Sequence, residues 1–150
     1  DKPNDVKIVL TASDMAKAKA FIADPRLKDV MDKLGVTSKP VVNFWSIIRF
    51  NPEKRVPGGV LQEFTLKVKD FDAWVKVFDS EGPATRASNG WEDIVLGRGK
   101  DDPNMVHIVF GVTDMAKAKA RTASPEIKKL MEEAGVVGAP TITFYNDASK

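Results

Sequence analysis

The chain has 150 residues, 43% apolar and 29% charged, a composition that folds into a globular core and lies far from that of disordered chains. Its net charge of +2 is too small to hold a phosphate backbone, so nucleic acid is not an expected partner. It has no cysteine, which removes disulfides, zinc ribbons and thiol catalysis, and no apolar run approaches the roughly 20 residues of a membrane span.

The opening residues Asp1-Lys2-Pro3-Asn4-Asp5 do not resemble a signal peptide, so a cytoplasmic location with no membrane partner is expected. Those residues also begin an internal repeat. Residues 1–46 overlay 101–146 without a gap, and about 21 of some 46 positions are identical. The run Asp14-Met15-Ala16-Lys17-Ala18-Lys19-Ala20 recurs as Asp114-Met115-Ala116-Lys117-Ala118-Lys119-Ala120. A period of this length seen twice argues for two domains or two half-barrels rather than a solenoid. The recurring lysines alternate with alanine, the pattern of a solvated helix face.

In chain order, Val6 to Leu10 and its counterpart Val106 to Phe110 have the β-branched alternation of strands. The preceding Asp-x-Pro-Asn of each copy has turn chemistry. Asp14 and Asp114 sit where an acid favours a helix start, and Asp24-Pro25 and Ser124-Pro125 place a capping residue before a proline, so each helix breaks and restarts. Leu27, Val30, Met31 and Leu34, like Ile127, Leu130, Met131 and Ala134, give an apolar stripe that Gly35 or Gly135 ends. A last strand is predicted after each proline, Val41 to Phe50 after Pro40 and Thr141 to Tyr145 after Pro140.

Between the copies, Leu61 to Lys69 alternates as a half-buried strand. Asp70 caps a helix whose Phe71, Trp74 and Phe78 are core positions, and Trp91 to Arg98 is the next strand. The order from about Gly58 is therefore β-α-β-β-α-β, the ferredoxin-like arrangement of an α+β protein. The first copy carries only the last three of these elements. The predicted organisation is a partial βαβ repeat over residues 1–50, a proline- and glycine-rich linker over 51–59 and a complete βαββαβ repeat over 60–150. A first strand at Val6 lacks its hairpin neighbour within the chain, so either more sequence or another chain supplies it, and a homo-oligomer is expected.

Lys69-Asp70-Phe71-Asp72-Ala73-Trp74, Asp101-Asp102-Pro103-Asn104, Asp114 to Ala118 and Glu133 to Pro140 resemble the dimeric α/β-barrel superfamily. The likeness is greatest to tandem proteins of the cyclase or antibiotic-biosynthesis-monooxygenase-like kind, and it covers nearly the whole chain. It implies two ferredoxin-like units whose sheets pair around a cavity as a pseudo-dimer, the first unit lacking its N-terminal βαβ. Functions on that fold range from cofactor-independent monooxygenases, haem-degrading enzymes and isomerases to proteins without known activity, so the fold does not choose among them.

If Val106, Ile108 and Phe110 face the helices, His107 points the other way, into the interior of such a barrel. As the only histidine it is the candidate catalytic residue, a general base near neutral pH. The same parity puts Glu63, Thr65 and Lys67 with Thr143 and Tyr145, beside Asn43 and Trp45, as candidate ligand-binding residues. Asp101 and Asp102 are explained by a turn. No metal or other cofactor is expected; the haem-degrading relatives need an axial ligand on a helix, whereas His107 lies on a predicted strand. The reading is a small-molecule-binding barrel of unknown activity. The alternatives are a cofactor-independent monooxygenase or isomerase/cyclase acting on a small aromatic or polyketide-like molecule, and a barrel filled by its own side chains.

Overall fold

Paired capping motifs open most helices of this protein, and a computed structural model describing residues 4–148 shows each in place. The Asp14 side chain accepts from Lys17 N–H at 3.0 Å to start α1 (Met15–Ile22), and Asp114 accepts from Lys117 N–H at 3.0 Å to start α5 (Met115–Thr122). Asp24 and Ser124 likewise cap α2 (Pro25–Lys33) and α6 (Pro125–Glu133), each with proline at the first helical position, where its missing N–H costs nothing. Gly35 and Gly135 end these helices at φ of +80° and +81°, a conformation that suits glycine.

The chain divides into two compact units, one ending at Val42 and one beginning at Asn43. The first contains α1 and α2. The strand expected at Val6–Leu10 does not form: Val6, Ile8 and Leu10 are 82%, 76% and 74% exposed. A strand needs a neighbour to satisfy its backbone, and among the described residues no strand pairs with residues 6–10. The turn expected at Asp1-Lys2-Pro3 lies outside the described residues.

The second unit is an α+β fold on one antiparallel sheet of five strands, β1 (Trp45–Phe50), β2 (Val60–Val68), β3 (Trp91–Gly99), β4 (Met105–Val112) and β5 (Val136–Asn146). Their order is β1-β3-β4-β2-β5, so β5-β2-β4-β3 is consistent with a ferredoxin-like sheet to which β1 adds an edge strand. Helices α3 (Phe71–Glu81) and α4 (Pro83–Ser88) connect β2 to β3, while α5 and α6 connect β4 to β5; with α1 and α2 these are six α-helices among the described residues. The segment after β1 holds a short 3-10 turn, Pro52–Lys54, and is tied to the second unit where Arg55 pairs with Asp147 and Gly58 N–H donates to Asp147 O at 3.1 Å.

Two strands differ in extent from the prediction. The edge strand starts at Trp45 rather than Val41. Strand β5 starts at Val136, before Pro140, because its pairing with β2 jumps from Thr65↔Thr141 to Lys67↔Val137. The extra residues form a bulge that takes Pro140 out of the ladder and places Gly138 at φ +72°.

Phe64, Leu66 and Val68 of β2, Val106, Ile108 and Phe110 of β4, and Trp91 and Leu96 of β3 make one core with Phe71 and Trp74 of α3 and Ala118 of α5. Each large apolar side chain fully withdrawn from water contributes roughly 1.5–3 kcal/mol before chain entropy is subtracted. A polar side chain is buried beside this core. Gln62, fully buried, accepts from the Trp91 indole N–H at 2.7 Å and donates to Thr122 Oγ1 at 2.9 Å, so its burial leaves neither end unmatched.

Candidate functional site

Strand alternation sends Val106, Ile108 and Phe110 into the core with α3 and α5 and turns His107 to the opposite face of the sheet. Its cross-strand neighbours are Thr65 on β2 and Gly97 on β3, so it sits at the centre of the sheet rather than at an edge. Gly97 has no side chain to fill the space beside it. A Cβ there would stand 3.4 Å from the Trp45 Cβ and 3.5 Å from the His107 Cβ. Trp45 reaches from β1 to stack on the imidazole, ring centroids 4.9 Å apart and planes inclined by 21°.

The stacking leaves His107 5% exposed. Glu63 Oε1 lies 2.9 Å from its Nε2, and neither ring nitrogen makes a hydrogen bond among the described residues. A buried, unmatched donor or acceptor costs about 1–3 kcal/mol. The arrangement can take up a proton at Nε2 beside a carboxylate, or bind a ligand group that completes either nitrogen.

Pairing of Glu63 with Thr143 and of Leu61 with Tyr145 brings both β5 residues to the same face as Glu63, Thr65 and Lys67. Lys67 is committed elsewhere: its ammonium pairs with Asp102 in the turn before β4. That ammonium, with the Asn104 N–H, holds the Asp102 carboxyl below the usual carboxylate range. Asn43 precedes β1 and is exposed.

The other face holds what sequence reasoning missed. A half-open cavity of about 60 Å³ lies between the sheet and helices α3 and α6. Phe64, Trp74, Phe78, Trp91 and Phe110 give it an aromatic wall, and Leu130 and Met131 of α6 close the other side. Two charged residues also line it, Glu81 and Arg86. Arg86 is 2% exposed, and its guanidinium is held by Asp93 through contacts of 2.6 and 2.7 Å and donates to Phe78 O at 2.8 Å. Glu81 accepts from Arg121 at 2.8 Å and lies 3.6 Å from Arg86. The periodicity of α3 marks its aromatics as core, which they are; that the core stops short of filling is a property of packing no spacing encodes.

Among the described residues no three metal-binding side chains come together, and no helix is long and apolar enough to cross a membrane.

No family model matches the chain, and no curated protein matches it. Solved structures do. A Lactobacillus acidophilus protein described as a "putative monooxygenase" shares 20% identity, covering 89% of this chain and 69% of its own, with a TM-score of 0.49. A Bordetella bronchiseptica "putative antibiotic biosynthesis monooxygenase" shares 13% over 59% of this chain and 96% of its own, TM-score 0.47. A Shewanella oneidensis protein whose description names no activity shares 18% over 68% and 95%, TM-score 0.46. At these identities neither activity nor substrate transfers.

Proposed function

We propose that the chain is a small-molecule-binding protein that takes a flat, largely apolar molecule, of the phenolic or polyketide-like class, between the sheet and helices α3 and α6. The observation that carries this reading is the lining of the cavity, an aromatic wall interrupted by one carboxylate. Aromatic side chains give planar ligands large contact areas, and a few polar groups fix their orientation. The Arg86 guanidinium is engaged by Asp93, Phe78 O and Glu81, so it buttresses the wall. Glu81 keeps acceptor capacity for a ligand hydroxyl, since a carboxylate offers about four lone-pair sites.

At about 60 Å³ the cavity is smaller than the ~150 Å³ void that admits benzene, so a ring enters with a shift of α6 side chains. Met131, unbranched and adaptable, is suited to give way. The internal repeat supports reading the chain as a tandem of ferredoxin-like units of the barrel-forming kind, which assembles further as a homo-oligomer. Titration with 2-naphthol, followed by the fluorescence of Trp74 and Trp91, tests the site. Val77 of α3 also lines the cavity, so saturable quenching that Val77→Phe abolishes is expected; equal quenching in that variant rejects the cavity as the site.

A second reading, a cofactor-independent monooxygenase or isomerase, is favoured by one feature, the buried imidazole of His107 with both nitrogens unmatched beside Glu63. His107→Ala then lowers turnover at least about tenfold. An unchanged rate removes His107 from any chemistry.

A further inference from the structure

Glu81 closes α3, and Arg86 follows in α4. In one unbroken helix these positions would point about 140° apart. Gly82, at φ +80°, and Pro83 break the helix between them, and both side chains line the same cavity between the sheet and α6. There they are buried, the Arg86 side chain 2% and the Glu81 side chain 9% exposed. Each is held on its far side: Arg86 Nε and Nη2 donate to Asp93 at 2.7 and 2.6 Å, and Glu81 Oε1 accepts from Arg121 Nη2 at 2.8 Å. Toward each other they fall short. Glu81 Oε2 stands 3.6 Å from Arg86 Nη1, beyond the roughly 2.7–3.2 Å of a direct N–H···O hydrogen bond. Nη1 carries two hydrogens, and Phe78 O takes one of them at 2.8 Å.

We infer that this gap reads a neutral hydroxyl on the bound molecule, its oxygen accepting from Arg86 Nη1 and its O–H donating to Glu81 Oε2. The pair offers one donor and one acceptor side by side, and a hydroxyl answers both with a single oxygen. An ether or a ketone accepts from Arg86 but has nothing to give Glu81. A carboxylate, ionised near neutral pH, brings a further negative charge against Glu81. The site's own charges are already balanced, Arg86 and Arg121 against Asp93 and Glu81, and an added charge in a buried setting is costly. The aromatic wall of Trp74, Phe78 and Phe110 takes the ring that carries the hydroxyl. Within the broad class proposed above, the ligand is thus a phenol rather than its methyl ether, ketone or acid. The hydroxyl site requires that the cavity be the place of binding, so it rests on that reading.

Equilibrium dialysis of the whole chain near neutral pH against 2-naphthol, 2-methoxynaphthalene, naphthalene and 2-naphthoate tests this, on the wild type and on Glu81→Gln. The wild type is expected to bind 2-naphthol at least about tenfold more tightly than the other three, the effect of hydrogen bonds to charged groups in a buried site. Glu81→Gln is expected to bring 2-naphthol down to the level of 2-methoxynaphthalene and to leave the latter unchanged, a difference that a general loss of folding would not produce. The wild-type series stands by itself if Glu81→Gln folds poorly. Equal wild-type affinity for 2-naphthol and its methyl ether overturns the hydroxyl site and leaves the cavity standing. A preference for 2-naphthoate also overturns it and makes Arg86 an anion site. So does a preference for 2-naphthol that survives in folded Glu81→Gln. No binding of any of the four overturns the cavity reading and the hydroxyl site with it.

Discussion

Trp45 covers His107, its indole stacked 4.9 Å from the imidazole across the gap left by Gly97. The lid is one side chain on an edge strand, so removing it opens the histidine without touching the core. Trp45→Ala is therefore expected to raise the rate of diethyl pyrocarbonate modification of His107, the only histidine, about tenfold or more. An unchanged rate means that something other than Trp45 shields the ring.

Because neither nitrogen of His107 is hydrogen-bonded, the ring contributes little to stability through polar contacts. His107→Leu keeps the volume and removes the unmatched groups, and the expected change in unfolding free energy is within about 1 kcal/mol. A loss of about 3 kcal/mol in urea denaturation would mark His107 as structural and weaken its candidacy as a site residue.

Arg86 is the opposite case. Its guanidinium is buried over the Phe78 ring at 4.0 Å and paired twice with Asp93. Arg86→Ala leaves Asp93 facing an apolar void and is expected to cost about 3–5 kcal/mol, with Arg86→Met recovering part of it through packing. Equal stability of wild type and Arg86→Ala would contradict the buttressing role.

Gly90 joins α4 to β3 at φ +84°, and a Cβ there would lie 2.5 Å from Asp114 O, the residue that caps α5. The substitution Gly90→Ala combines an unfavourable φ with a backbone clash, so it is expected to destabilise by about 2 kcal/mol or more in thermal unfolding. A neutral outcome would mean that the α5 cap can move away freely.

The edge strand β1 is held to α3 by Arg49 and Asp79, with Arg49 Nη2 donating to Asp79 Oδ2 at 2.7 Å. That hydrogen bond holds the Asp79 carboxyl below the usual range. A depressed carboxylate stabilises the fold fully above its unfolded value, about pH 4, and the contribution fades as pH falls through the folded value. The stability gap between wild type and Asp79→Asn is thus expected to be largest near neutral pH and to shrink as pH falls below the unfolded carboxylate value and through the lowered folded one. A gap independent of pH would exclude the ion pair as its source.

Much of the second unit was legible because its signals are local. Alternation over residues 61–69 gave β2 and the face it buries, Asp70 and Asp114 gave helix starts, and parity alone put His107, Glu63 and Thr143 on one face. What failed depends on partners or packing. Val6–Leu10 has the pattern of a strand without strands beside it, and Pro140 lies within β5 because a bulge opposite Leu66 absorbs it. The pairing of Lys67 with Asp102 and the burial of Arg86 join residues distant or unpatterned in sequence, and the cavity is a shortfall of volume that no residue type announces.

The most direct test of small-molecule binding is native mass spectrometry of the gently purified chain, run beside Val77→Phe. Retention of a molecule by the wild type, with the same molecule absent from a folded Val77→Phe, is the predicted result. A bare polypeptide mass for both, after exposure to phenolic and polyketide-like compounds, would contradict it and leave the second unit as a filled scaffold.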